Sequence, residues 1–251
     1  MVDVGGVAFD PVTETQVLDV VAQGWARAEG GLVVTPNVDI WLRVRRDPSC
    51  QEVLDRARLV VADGMPLIWA SRLAGTPLPE RVPGAGLVET LSALAASRGG
   101  SVFVLGGGAG DVAERAARAL AARHTGLRVA GVASPAFGFE HDPALTRELV
   151  EQVRASGADL VLIGLGFPKQ ERLGLLLQPV MPAAWLLGCG GAVAMAAGDA
   201  RRTPVWAQRL GAEWLVRLAQ EPTRLARRYL IDDIPAALSL LGMSVLRRFR
   251  R

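Results

Sequence analysis

Lysine is almost missing from this chain. Of its 28 basic residues only Lys169 is a lysine, and the other 27 are arginines. Ammonium chemistry, if the chain uses any, therefore has a single address; the plain alternative is one leftover lysine in an arginine-biased composition. The two cysteines, Cys50 and Cys189, lie far apart and form no metal spacing, which fits a reducing compartment. His124 and His141 stand alone, without ligand spacing, and read as surface residues. No uncharged apolar run reaches the roughly 20 residues of a membrane span. The start, Met-Val-Asp-Val-Gly-Gly, has neither the basic region nor the apolar core of a signal peptide, so a cytoplasmic protein is expected. No nucleophile elbow, Ser/His/Asp order or phosphate-binding P-loop is found, nor any internal repeat.

What is there supports a large core. The chain has 251 residues, half of them apolar, with a positive mean hydropathy of +0.27. That excludes global disorder. The net charge of +3 hides an asymmetry: from Arg201 onward there are 11 arginines against 4 acids, leaving 17 basic and 21 acidic groups in the first 200 residues. The basic end points to an anionic partner, a membrane surface or nucleic acid.

Apolar runs of strand length recur at Leu32–Thr35, Leu59–Ala62, Val102–Leu105, Leu127–Val132, Leu160–Gly164 and Ala184–Gly188. Stretches such as Asp111–His124 and Asp142–Ser156 separate them, with apolar residues at three- and four-residue spacing. This alternation predicts a Rossmann-like parallel α/β sheet with helices on both faces, over residues 1–200. Such sheets bind ligands beyond the carboxyl ends of their strands. Those ends read Thr35-Pro-Asn37, Ala62-Asp-Gly-Met-Pro66, Gly106-Gly-Gly-Ala-Gly110, Gly164-Leu-Gly-Phe-Pro-Lys169 and Gly188-Cys-Gly-Gly191, and together they mark a candidate crevice.

Within it, Gly164 and Gly166 allow close backbone approach to a ligand, and Pro168 fits the first position of a helix. Asp63 has two readings, a general base for a substrate hydroxyl or the N-cap of a helix opening near Pro66; spacing alone favours the cap. Arg81, in a proline-rich loop, is a natural phosphate fork, and Gly84 behind it could open a helix facing an anion. Gly106 and Gly107 invite a dinucleotide reading, with an NAD(P)-dependent oxidoreductase as its consequence. It is weak, because the third glycine of that fingerprint falls at Asp111 and no acid follows at the required distance. A turn that packs a helix on the sheet and offers amides to a phosphate or sugar fits better.

Residues 201–251 differ from the rest. Thr203–Leu218 and Thr223–Leu230 interleave Trp and Leu with arginines; after Pro235 comes Ala236–Leu246, then a basic end. This predicts a basic, amphipathic, helical segment that associates with an anionic membrane surface.

Taken in order, Thr35-Pro-Asn37, Ala62-Asp-Gly-Met-Pro66, Glu80-Arg-Val-Pro-Gly84, Gly164-Leu-Gly-Phe-Pro-Lys-Gln-Glu171, Gly211-Ala-Glu-Trp-Leu-Val-Arg217, Glu221-Pro-Thr-Arg224 and Arg227-Arg-Tyr229 resemble the WecG/TagA/CpsF family of bacterial glycosyltransferases. The resemblance runs from about Val4 to Tyr229. It implies an inverting transfer from a UDP-sugar to a polyprenyl-diphosphate-linked glycan, by an enzyme peripheral to the inner face of the cell membrane, with no nucleic-acid partner. The sugar would be N-acetylmannosamine, its uronic acid, glucose or similar, and the products would feed teichoic acids or other surface polysaccharides. Neither metal nor cofactor is implied; the leaving UDP must then be stabilised by positive side chains and backbone amides. By the same resemblance Asp63 is the base, Thr35 and Asn37 line the donor pocket, and Arg81, Lys169 and Gln170 hold phosphate or hydroxyl groups. Gly106, Gly107, Gly164, Gly166 and Gly190 bring backbone to the substrate, while Arg217, Arg224, Arg227 and Arg228 meet the lipid diphosphate. A homo-oligomer is left open. Two positions depart from the family's usual pattern, Gly86 and Ala192-Val-Ala-Met195, and both bear on the donor sugar.

Overall fold

The computed structural model describes residues 1–106, 110–199, 213–220 and 227–249. All six expected strands form, as β3 (Gly31–Val34), β4 (Leu59–Val60), β5 (Ser101–Gly106), β6 (Arg128–Ala133), β7 (Leu160–Gly164) and β8 (Trp185–Gly188). They make one six-stranded sheet in the order β4-β3-β8-β7-β5-β6, with every pair parallel.

Strand residues alternate between two cores, as a period of two requires. Leu32, Val34, Phe103, Leu105, Val161, Ile163 and Leu186 enter one core. Val33, Val102, Val104, Leu160, Leu162, Trp185 and Leu187 enter the other. The first core is covered by α2 (Val38–Arg46), α3 (Pro48–Asp55), α4 (Met65–Leu73), α7 (Pro143–Ala155) and α8 (Lys169–Leu177). The second is covered by α1 (Glu14–Ala26), α5 (Gly84–Ser97), α6 (Val112–Arg123) and α9 (Ala192–Ala196). Both faces of the inner strands are buried, which is why those strands read as continuous apolar runs, whereas the edge strand β6 is partly exposed.

A short hairpin of β1 (Val2–Val4) and β2 (Val7–Phe9) precedes the sheet and was not among the expected elements. Its Val4, Val7 and Phe9 join the first core, and the indole of Trp41 donates to the Val4 carbonyl at 3.1 Å. The hairpin also meets the far end of the chain, since Arg247 pairs with Asp3.

The C-terminal segment differs from its sequence pattern at Pro235. After α10 (Glu213–Gln220), a π-helical turn at Arg228–Asp233 runs straight into α11 (Ile234–Phe249). Pro235 lies inside this continuous helical run, where its missing N–H leaves a carbonyl of the preceding turn without an intrahelical donor, and the π-helical turn falls directly before it. The 21-residue helical stretch Tyr229–Phe249 is long and apolar enough by composition to cross a membrane. The absence of an uncharged run of that length did not anticipate this, because Asp232, Asp233, Arg247 and Arg248 sit at its ends. One face of α11 is nonetheless used inside the protein: Ala236 and Leu240 are buried in the first core, with Ser244 buried one turn on. Gly107, Arg224 and the side chains of Arg217 and Arg228 lie outside the described residues; Arg227 is exposed.

Candidate active site

The carboxyl ends of β4, β3, β8 and β7 lie side by side, and the loops beyond them are tied into one rim. Asp63 lies three residues past the end of β4. Its amide donates to the Pro36 carbonyl at 2.8 Å, which holds the β4 loop against the β3 loop. The Gly84 amide donates to Asp63 Oδ2 at 3.2 Å, and the Arg81 guanidinium stands 4.0 Å from Oδ1. Asp63 therefore does cap a helix, but not the expected one. The N-cap of α4 is Gly64, without a side-chain bond. The orphan N–H satisfied by Asp63 belongs to Gly84, the first residue of α5, whose own N-cap Pro83 offers no side-chain acceptor. The arrangement leaves the Asp63 side chain 27 % exposed beside an Arg81 that is 14 % exposed. A carboxylate fixed at both oxygens yet open to solvent suits proton abstraction from a bound hydroxyl.

Thr35 continues the rim. It is buried, and its Oγ1 donates to the Gly188 carbonyl at the end of β8 at 3.4 Å. A Cβ at Gly84 would come within 2.9 Å of that oxygen, so the start of α5 rests on Thr35. Asn37 caps α2, its Oδ1 accepting from the Ile40 amide at 3.0 Å, and its backbone packs near Gly64.

On the β7 side, Gln170 takes a structural position. Only 3 % exposed, its Oε1 accepts the amides of Gly166 at 3.0 Å and of Gly190 at 2.9 Å. One oxygen thus joins the β7 and β8 loops. Both glycines have positive φ, +78° and +50°, where a side chain would be strained. Lys169, the lone lysine, pairs with Glu140 at 3.3 Å and lies over the Phe137 ring at 5.1 Å. The Glu140 carboxyl is held below its usual range, by its own backbone amide first and also by Lys169.

Glu171 is next in sequence after Gln170. It is fully buried, receives Gln170 Nε2 at 2.7 Å, and burial pushes its carboxyl up to about 7. Cys189 beside it is raised to about 12, by burial first and then by the charge of Glu171, so it is an inert thiol. Of the two histidines, His141 is exposed as expected, but His124 is half-buried with Nε2 3.0 Å from Glu89. Gly106 serves packing: a Cβ there would meet Ala113 of α6 at 3.0 Å. At the departure Gly86, the Glu14 carboxylate lies 3.4 Å from where a Cβ would stand.

The model of the Glycosyl transferase WecG/TagA/CpsF family matches residues 2–250. The chain belongs to that family. Among characterised members, it is 30 % identical over 210 residues to the N-acetylglucosaminyldiphosphoundecaprenol N-acetyl-beta-D-mannosaminyltransferase of Bacillus spizizenii, covering 84 % of this chain and 79 % of that protein. The enzymes of the same name from Staphylococcus aureus and Bacillus subtilis are each 27 % identical, covering 90 % and 79 % of this chain and 87 % and 75 % of those proteins. As a WecG/TagA/CpsF member the chain is a glycosyltransferase, and the oxidoreductase alternative gives way. Among the described residues no group of three His, Cys, Asp or Glu is placed to hold a metal.

Proposed function

We propose that this enzyme transfers N-acetylmannosamine or a closely related sugar, with inversion, from a UDP-sugar to a polyprenyl-diphosphate-linked N-acetylglucosamine. The observation that carries the reading is Asp63: a partly exposed carboxylate pinned between Gly84 and Arg81 at the carboxyl edge of the sheet. Its setting is a chain whose relatives, over most of their length, are named as N-acetylmannosaminyltransferases acting on N-acetylglucosaminyldiphosphoundecaprenol. In a single displacement, Asp63 takes the proton of the acceptor hydroxyl as its oxygen attacks the anomeric carbon and UDP departs. Arg81 and the loop amides stabilise the leaving diphosphate in place of a metal.

The lipid-linked acceptor requires a membrane, and we place the enzyme peripherally on its cytoplasmic face. The outer face of α11 supports this, since Leu238, Val245, Leu246 and Phe249 are exposed next to Arg247 and Arg248. Trp69 and Leu73, four residues apart on the neighbouring α4, are exposed as well. The test is a panel of UDP-sugars with a short-chain N-acetylglucosaminyl diphospholipid, scored by UDP release, by the anomer formed and by indifference to EDTA. Release of UDP with UDP-N-acetylmannosamine and an inverted product is expected; no transfer from any donor would reject the reading.

A further inference from the structure

The buried carboxyl group of Glu171 has no part in the proton transfer assigned to Asp63, yet it borders the same rim. Gln170 Oε1 accepts an N–H from Gly166 on the β7 loop and another from Gly190 on the β8 loop. A carboxamide is nearly symmetric in shape, so its partners decide which end is oxygen. Turned over, its NH2 would face two N–H donors and leave buried donors without an acceptor. Glu171 Oε1, 2.7 Å from Gln170 Nε2, accepts from the amide end and so holds the carboxamide in the orientation that the two glycine amides require. Its other oxygen, Oε2, is buried with no hydrogen-bond partner among the described residues. The pair presses directly on the end of β8: a Cβ at Gly188 would fall 2.8 Å from Glu171 Oε1 and 3.0 Å from Gln170 Nε2. An apolar side chain would fill that space more cheaply than a buried carboxyl, so packing alone does not account for Glu171.

We propose that Glu171 is a positioning residue for sugar transfer: it orients the Gln170 carboxamide so that one oxygen clamps Gly166 and Gly190, setting the separation of two loops that flank the crevice. The consequence for transfer rests on the function proposed above; the clamp itself does not. Amide exchange measured by NMR on the full chain, without substrate, reads the clamp directly. In Glu171→Leu the Gly166 and Gly190 amides should exchange about tenfold faster, the scale of one lost hydrogen bond, while Glu171→Gln, which keeps an acceptor oxygen, stays within about threefold of wild type. Glu171→Ala gives the same reading should the leucine variant fail to fold. With UDP-N-acetylmannosamine, the donor KM should rise about tenfold in Glu171→Leu with kcat changing less, and Glu171→Gln should restore it. Unchanged exchange at both glycines in a folded Glu171→Leu or Glu171→Ala protein would overturn the proposal. So would equal defects in the Gln and Leu variants, which would make the carboxyl itself, and not an acceptor oxygen for Gln170, the requirement. If the wild type transfers no sugar, the functional reading fails while the exchange result still decides the clamp.

Discussion

Replacing Glu171 by Gln isolates the energetic consequence of a carboxyl group buried at the centre of the site. Burial raises its folded value from 4.5 to about 7, so the folded protein keeps this proton over a pH window in which the unfolded chain has already released it. Stability contributed by the neutral form is therefore complete below pH 4.5, declines as pH rises through the window, and is lost above about 7. At 1.36 kcal/mol per pH unit the whole effect is roughly 3 kcal/mol, of which roughly 2 to 3 kcal/mol falls between pH 5 and pH 8. Glutamine occupies the same volume, keeps an oxygen for Gln170 and does not titrate. Urea unfolding of both proteins at pH 5, 6, 7 and 8 separates this group from every other titration, since the rest are shared. Relative to wild type, Glu171→Gln should gain those 2 to 3 kcal/mol across the series, about 5–10 °C in Tm for a chain of this size. Parallel stability curves, differing by a constant at all four pH values, would refute the assignment of a buried, proton-holding carboxyl.

Other expectations concern the chemistry and the surface. Asp63→Asn should retain UDP-sugar binding, measured by calorimetry, while transfer drops by about 10²–10⁴, the usual loss with a missing general base; near-normal turnover would remove Asp63 from that role. Lys169→Met should raise donor KM more than it lowers kcat, because it takes a cation from the mouth of the site and leaves Glu140 without its 3.3 Å partner; a pure loss of kcat would instead place the ammonium in the chemical step. In flotation with anionic vesicles, Leu238→Ser combined with Phe249→Ser should weaken binding, since each removes an exposed apolar side chain worth about 1.5–3 kcal/mol when buried; binding unchanged by both would exclude the outer face of α11 as the docking surface.

The sheet was legible because strands buried on both sides leave no polar positions, so an apolar run bounded by glycine has few other readings. The hairpin was overlooked because its strands are three residues each, although Gly5-Gly6 between Val4 and Val7 is a recognised two-residue turn signal. Asp63 shows a harder limit. The motif Ala-Asp-Gly-Met-Pro specifies a capping aspartate, but its partner, the Gly84 amide, lies 21 residues further on, and no local spacing selects it over α4. Glu171 was within reach. Counting three and four residues on from it meets Gly174 and Leu175, both buried, so helical periodicity turns Glu171 inward and Lys169 outward. The motif as a whole drew attention to its lysine, the residue with the charge on display. The group with the perturbed proton stood two positions away.

Strand order explains why residues so distant in sequence share one rim. Had the strands been laid down in chain order, β5 and β6 would separate the Asp63 loop from the Gln170 loop. Instead the chain crosses from β4 to β5 over three strand positions and fills the gap last, with β7 and then β8. β8 becomes the bridge: its Gly188 carbonyl accepts Thr35 on one side, and Gly190 reaches Gln170 on the other. The last strand thus completes the connection from Asp63 through Gly84 and Thr35 to the β7 loop, and the site can form only after it has docked. The same geometry bears on the membrane association proposed above. α4 starts two residues after Asp63, runs for nine residues, and packs on α11. At 1.5 Å per residue its length is about 14 Å. With α11 lying on the bilayer, Asp63 stands within about that distance of the apolar ledge formed by α4 and α11, a reach that suits an acceptor whose diphosphate stays at the headgroups while its sugar enters the crevice.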